Sequence, residues 1–355
     1  MKIIFKSLRK KIYLLILFFV FGKAATAQTL GGNAVYNFLK FSHTPQLTAL
    51  GGSNISIQSS DVGLAFNNPA LLNETMHTQL NSVFNNFFSG TSIFHLSMGY
   101  KIDKLKTNIA GGIQYFDYGK MTETDASGNI LGLLHPKDFV MQLTASRKYL
   151  QKWNYGSSLK FISSNYGNYQ STGMAIDFGL VFKDSLFSAA AVVKNIGVQL
   201  KKYSGTEELP FDLQVGVTKK MKDAPLSFSL TAQRLHHFNI SYDDSIFNAN
   251  NGLITKSSFF DNFFRHFIIA VQLFPISNLE ISAGYNYLRR KELNIVNNKN
   301  GLNGFSIGTG FLLKKIHVRF AQAYYQNNMT YSQFGLSLQL NEYFGLGKFG
   351  ERIAW

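Results

Sequence analysis

Phe94-His95-Leu96-Ser97-Met98-Gly99-Tyr100-Lys101-Ile102 alternates without a break, with large apolar side chains at the even positions and histidine, serine, glycine and lysine between them. Successive side chains of a strand point to opposite faces, so this stretch is a ribbon with one greasy and one polar side. The pattern recurs along the chain. Trp153, Tyr155, Leu159 and Phe161 alternate with Asn154, Gly156, Ser158 and Lys160; Phe211, Leu213, Val215 and Val217 alternate with Asp212, Gln214, Gly216 and Thr218. Leu279, Ile281, Ala283, Tyr285 and Tyr287 interleave with Glu280, Ser282, Gly284 and Asn286, and Phe334, Leu336, Leu338 and Leu340 with Gly335, Ser337, Gln339 and Asn341.

Two architectures can bury the greasy side: a soluble sandwich, which packs it on a second sheet, and a barrel, which turns it to lipid. The polar side decides between them. A water-facing sheet would carry many Lys and Glu, whereas here the positions hold Gly, Ser, Asn, Gln and Thr with isolated charges, which suits a crowded lumen. Composition agrees, because only 15% of the 355 residues are charged against roughly 25% in an ordinary soluble domain. Aromatic residues reach 15%. Tyr100, Tyr115, Tyr118, Tyr149, Trp153, Tyr285 and Tyr287 fall near strand ends, where they are expected to form interfacial girdles. Since lipid offers no hydrogen bonds, the sheet must close.

The sequence predicts an all-β, transmembrane antiparallel β-barrel of about fourteen strands. The strands are expected to start near Gln79, Ser92, Thr107, Phe139, Trp153, Thr172, Leu186, Pro210, Leu226, Phe267, Leu279, Gly304, Ile316 and Tyr331. Every second connection is short, as at Asp103–Leu105, Leu150–Lys152, Lys183–Ser185, Pro275–Ser277 and Lys314–Lys315. Most of the others are long: Gly119–Asp138, Gly197–Glu208, His236–Arg265 and Arg289–Asn303. Outer-membrane barrels are built this way, with the long loops outside the cell.

Residues 1–27 read as a secretory signal peptide: basic Lys2, Lys6, Arg9, Lys10 and Lys11, an apolar run from Ile12 to Phe21, then Ala25-Thr26-Ala27. The run is shorter than the roughly 20 residues a membrane helix needs, and the small residues suit cleavage near Ala27. The whole chain has a formal charge of +15. Six of its basic residues, Lys23 included, and no acidic ones lie in this leader, which leaves about +9 on the mature chain. No arginine-rich helix or basic stripe with stacking aromatics appears, so no nucleic-acid partner is expected. The expected location is the outer membrane of a diderm bacterium, in contact with lipid and lipopolysaccharide. With no cysteine in the chain, disulfide staples and thiolate metal sites are excluded.

Residues 28–77 do not alternate and form a separate piece ahead of the barrel, which takes up residues 78–355 with a short tail. Leu50-Gly51-Gly52 permits close backbone approach, and Asn67-Asn68-Pro69-Ala70, following Asp61, sets a turn, so a hatch folded into the barrel mouth is expected. These residues carry a resemblance. The Leu-Gly-Gly turn, Asp61 and Asn-Asn-Pro-Ala ahead of alternating strands resemble the FadL-type outer-membrane barrels, as does Lys194-Asn195-Ile196-Gly197 after a strand. More narrowly, Leu30–Leu39, Thr44–Gly52 and Asn85-Asn86-Phe87-Phe88 are similar to the PorQ-type barrels of the type IX secretion system, densely to Phe88 and diffusely beyond. That resemblance implies a mount for a surface complex that processes and attaches secreted cargo, with PorU, PorV and PorZ as partners. The wider family implies an alternative, a transporter of hydrophobic small molecules.

No enzyme and no cofactor are expected. Gly304-Phe305-Ser306-Ile307-Gly308 satisfies the nucleophile-elbow pattern but lies in an alternating strand without a following helix. Ser157-Ser158-Leu159-Lys160 matches an acyl-serine motif, yet strand residues three apart point opposite ways. Gly345–Gly350 imitates a dinucleotide loop without a crossover unit. The histidines show no HExxH or comparable spacing, and the one cluster, His236-His237 with Asp243 and Asp244, lies in the longest loop and reads as solvated loop rather than metal site. Phe259, Phe260, Phe263 and Phe264 in the longest loop need cover from lipid or protein, and a partner contact or an inward-folded loop is preferred. Lysines 104, 106, 152, 183, 219, 220, 222, 314 and 315 gather at the short turns, where they keep tight turns soluble or meet an acidic periplasmic partner.

Overall fold

A computed structural model describes residues 34–87, 90–202, 208–241, 258–293, 301–326 and 329–344. The expected leader, the tail after Phe344, Asp243 and Asp244 lie outside the described residues. The strands are β1 (Gln79–Asn86), β2 (Ser92–Ile102), β3 (Thr107–Asp117), β4 (Met121–Thr124), β5 (Ile130–Leu134), β6 (Lys137–Tyr149), β7 (Trp153–Tyr166) and β8 (Tyr169–Lys183). They continue as β9 (Phe187–Lys201), β10 (Asp212–Lys220), β11 (Leu226–Ala232), β12 (Phe267–Ile276), β13 (Leu279–Asn286), β14 (Phe305–Leu312), β15 (Ile316–Tyr324) and β16 (Thr330–Gln339). All but β4 and β5 join one closed antiparallel barrel in chain order, sealed where β1 meets β16 with Gln79 opposite Gln339. Closure removes the sheet edge, as lipid requires.

Burial is inverted relative to a soluble sheet. Leu96 is 51% and Leu143 68% exposed, whereas Gln114 and Asp177 are at 0%. The alternating apolar positions form the outer wall, and the Ser, Thr, Asn and Gln positions between them point inward. No described helix is long and apolar enough to cross a membrane. The short turns and both barrel termini share one end, and the long loops the other.

Most strand starts fall within three residues of the sequence expectation. Four details differ. The Gly119–Asp138 loop contains the β4–β5 hairpin, turned by Asp125, whose carboxylate accepts from the Ser127 and Asn129 amides at 2.9 and 2.8 Å. The last strand ends at Gln339 rather than near Phe344, and Asn341–Phe344 is a short helix. Tyr149 and Trp153 pair across the β6–β7 turn on the exposed wall, as a girdle would. Tyr118 does not join a girdle, because just past β3 the chain turns it inward and its hydroxyl donates to Asp138 at 2.7 Å. Tyr287 opens a loop helix and donates to Asp261 at 2.8 Å, so it too is a loop residue rather than part of a strand.

Candidate functional site

The barrel interior is occupied by residues 34–77. Local sequence explains their shape. Thr44 caps the helix Pro45–Ala49 by accepting from the Leu47 amide at 3.3 Å, proline sits at its first turn, and Gly51 and Gly52 end it at φ of +91° and +102°. Only glycine adopts such angles without strain. Asp61 caps the next turn through Gly63 (2.9 Å), and Asn68 caps the Pro69–Leu71 turn through Ala70 (3.0 Å). These three turns thus each bring their own polar cap.

Packing seats these turns on the wall. Gly156 of β7 and Gly179 of β8 are cross-strand partners, and a Cβ on Gly156 would meet the Pro69 carbonyl group at 2.6 Å. A Cβ on Gly179 would crowd Asn68 and come within 3.1 Å of the Ala70 nitrogen. The bare glycine pair is therefore a flat seat for the Asn-Pro-Ala turn. Across the lumen Gly284 of β13 lies against the backbone of Leu50 and Gly51, whose carbonyl accepts from Asn286 and Arg289, both at 3.0 Å. Leu47, Leu50, Ile55 and Leu64 are fully buried in a cluster that includes Val181, Val192 and Ala270 of the wall. Each such side chain contributes about 1.5–3 kcal/mol.

Polar bonds fix the register. Asn67 accepts from Lys194 at 3.0 Å and donates to the Asn54 carbonyl, while Asn68 donates to the Ile55 carbonyl at 2.8 Å. Asn54 donates to Ser229 at 2.8 Å, Ser53 to Gln214 at 3.0 Å, and Ser56 shares a 2.8 Å bond with Thr218. Asp61 lies 3.5 Å from Arg319 of β15, which is also 3.5 Å from Glu280 of β13. Glu280 in turn accepts from Gln46, Gln272 and Ser282. Lys160 and Asp177 form a second buried pair at 2.6 Å. In the low dielectric of a filled lumen these charges are tolerated because each has an opposite partner, and the carboxylates accept further hydrogen bonds.

Near the long loops the filling stops short of the wall and leaves a cavity of about 440 Å³. Val35, Tyr36, Phe38 and Phe41 form one side; Tyr118, Asp138, Tyr166 and Tyr169 line the other. Asp138 accepts from both Tyr118 (2.7 Å) and Tyr166 (2.8 Å). Burial first, and then the Asp138 carboxylate, pushes the Tyr118 hydroxyl above its usual range, so it stays a donor. Tyr36 bonds Ser171 at 2.5 Å. The result is a pocket that mixes six aromatic rings with the polar side chains of Asn37, Asp138, Ser164, Gln170, Ser171 and Gln199, a composition that offers an apolar surface with a few polar contacts.

Leu50, Gly51, Gly52, Asp61, Asn67, Asn68, Pro69 and Ala70, expected to form a hatch, all lie in the interior segment, spread over its contacts with β7–β9 and β12–β15 rather than gathered at one point. Sequence reasoning missed their wall partners, Gly156, Gly179, Lys194, Gly284, Glu280 and Arg319. A charged residue on an otherwise small, polar strand face was the available signal for three of them. Ser306 lies within β14 and accepts from Arg289 at 2.9 Å, with no elbow around it. Ser157 points outward and Lys160 inward. The ring of His236 lies against Phe211 and His237. Among the described residues no group of His, Asp and Glu is placed to hold a metal.

No protein-family model matches the chain, and no curated protein matches it in sequence. Solved structures do. The chain is similar to the Pseudomonas putida toluene transporter TodX, with a TM-score of 0.52 at 10% identity over 88% of this chain and 98% of TodX. It is also similar to the CymD monoaromatic hydrocarbon channel, with a TM-score of 0.51 at 12% identity over 86% and 97% of the two chains. The shared fold is a closed antiparallel barrel. At such identities the likeness is one of architecture alone.

Proposed function

We propose that this chain is an outer-membrane channel for small hydrophobic molecules, with residues 28–77 as the hatch that closes it. The observation that supports this most directly is the aromatic-lined cavity of about 440 Å³ between the start of the hatch and the long-loop end of the wall. Its size suits one small apolar molecule, and TodX, a toluene transporter, and CymD, a monoaromatic hydrocarbon channel, point to the same ligand class. Toluene uptake by cells carrying the chain, compared with cells lacking it, is the test. Faster uptake that is lost when Asn68, Pro69 and Ala70 are together replaced by glycine supports the reading; equal uptake in both strains overturns it.

A second reading, a mount for a type IX secretion complex with PorU, PorV and PorZ as partners, is supported by the resemblance of residues 30–88 to PorQ-type barrels. The dense polar bonding of the interior favours it, since a permanently filled barrel needs no passage. Deleting the gene and assaying surface attachment of secreted cargo separates the two: normal attachment and processing removes the mount.

A further inference from the structure

The Phe259–Arg265 helix carries phenylalanines at 259, 260, 263 and 264 that are 65%, 69%, 41% and 50% exposed, so the loop does not fold them inward. The polar residues of the same helix are turned in. Asn262 is buried, and Asp261 accepts from Arg265 at 2.9 Å and from Tyr287 at 2.8 Å and pairs with Lys291 at 3.0 Å. The helix therefore repeats the inverted burial of the barrel wall, pinned from behind by its polar side with its phenyl rings outward.

Those rings are continuous with the lipid-facing wall. Phe263 packs on Phe267, the first residue of β12, at 4.9 Å, and two residues on, Ile269 is 57% exposed. Phe264 reaches Tyr287 at 6.1 Å, Tyr287 reaches Tyr285 at 6.5 Å, and Tyr285 meets Phe305 at 4.7 Å. Ile269, Tyr285 and Phe305 are register partners across β12, β13 and β14. A single apolar surface thus runs from the wall up onto the loop helix in this sector. Water on four adjacent phenyl rings is unfavourable, and the surface they extend already belongs to hydrocarbon.

We propose that the Phe259–Phe264 face is embedded in the acyl chains of the outer leaflet, so that the barrel's lipid-contacting surface is taller over β12–β14 than elsewhere. Arg265 and Lys291, beside the rings, then sit at headgroup level, where cations near an interface are favoured.

The test uses the full-length protein in phosphatidylcholine bilayers, with both native tryptophans replaced (W153F, W355F) and a single reporter introduced as F260W or F263W. A reporter at Leu143, a wall position, serves as the hydrocarbon reference. Quenching of both loop reporters by brominated acyl chains to the extent seen at L143W, together with several-fold weaker quenching by aqueous acrylamide than in the unfolded chain, is the expected result. Strong acrylamide quenching without bromine quenching would overturn it. Protection from both quenchers would overturn it equally, since the rings would then be covered by protein.

Discussion

Gly156 and Gly179 show at the residue scale why small side chains stand in strands that would be stiffer without them. A glycine in a strand interior weakens it, and here the loss is offset by the approach of the Asn-Pro-Ala turn to bare backbone. Gly156→Val should leave the wall strands paired but lower stability by about 1–3 kcal/mol through overpacking on Pro69, read as a lower thermal midpoint in detergent together with faster proteolysis within residues 34–77. An unchanged midpoint and cleavage rate would mean that the seat is not tight. Arg319 sits between Asp61 and Glu280. Arg319→Met strands two buried carboxylates and should cost about 3–5 kcal/mol in a denaturant titration. Adding Asp61→Asn and Glu280→Gln should restore most of that loss if charge, rather than shape, is the cause. These residues show where the sequence stops being informative. Asp61 and the glycines are recognisable as special, but Arg319 is 258 positions from its partner and nothing local announces the pairing.

At the scale of the element, the strands were readable because alternation depends on neighbouring residues and not on distant ones. Lipid on one face and a crowded lumen on the other impose the period over seven to fifteen residues at a time. Loops obey no such rule, which is why Tyr118 and Tyr287 were expected in girdles and instead serve hydrogen bonds. The clasp between the Phe259–Arg265 and Tyr287–Glu292 helices makes a further expectation. Burial would raise the Asp261 carboxyl, but the bonds from Lys291, Tyr287 and Arg265 outweigh it and hold the group below its ordinary value. A depressed folded value means that the clasp contributes fully above the unfolded carboxylate range, near pH 4, and is lost as pH falls through the lowered folded value. Amide protection of residues 259–265, corrected for intrinsic exchange rates, should therefore be high at pH 6 and fall at the acid end. In Asp261→Asn it should be low at both; equal protection of wild type and variant at pH 6 would rule the clasp out.

The whole molecule joins two solutions to one problem, since a closed polar-lined barrel is a hole unless something fills it. Removing residues 34–77 should leave the fourteen-strand wall able to close, because β1–β16 pairing does not pass through them, and should convert a non-conducting barrel into an open pore in planar bilayers. Equal single-channel conductance with and without the segment would show that it does not block the lumen. The alternation of the chain by itself determined the wall, its strand number and which side meets lipid, because those follow from a solvent contrast that every strand feels locally. Only the tertiary structure decided which glycines lie under which turns, which buried charges pair, and where an aromatic-lined space is left open. The reason is that these depend on contacts between residues distant in sequence, which exist only once the barrel has closed around its own amino-terminal segment.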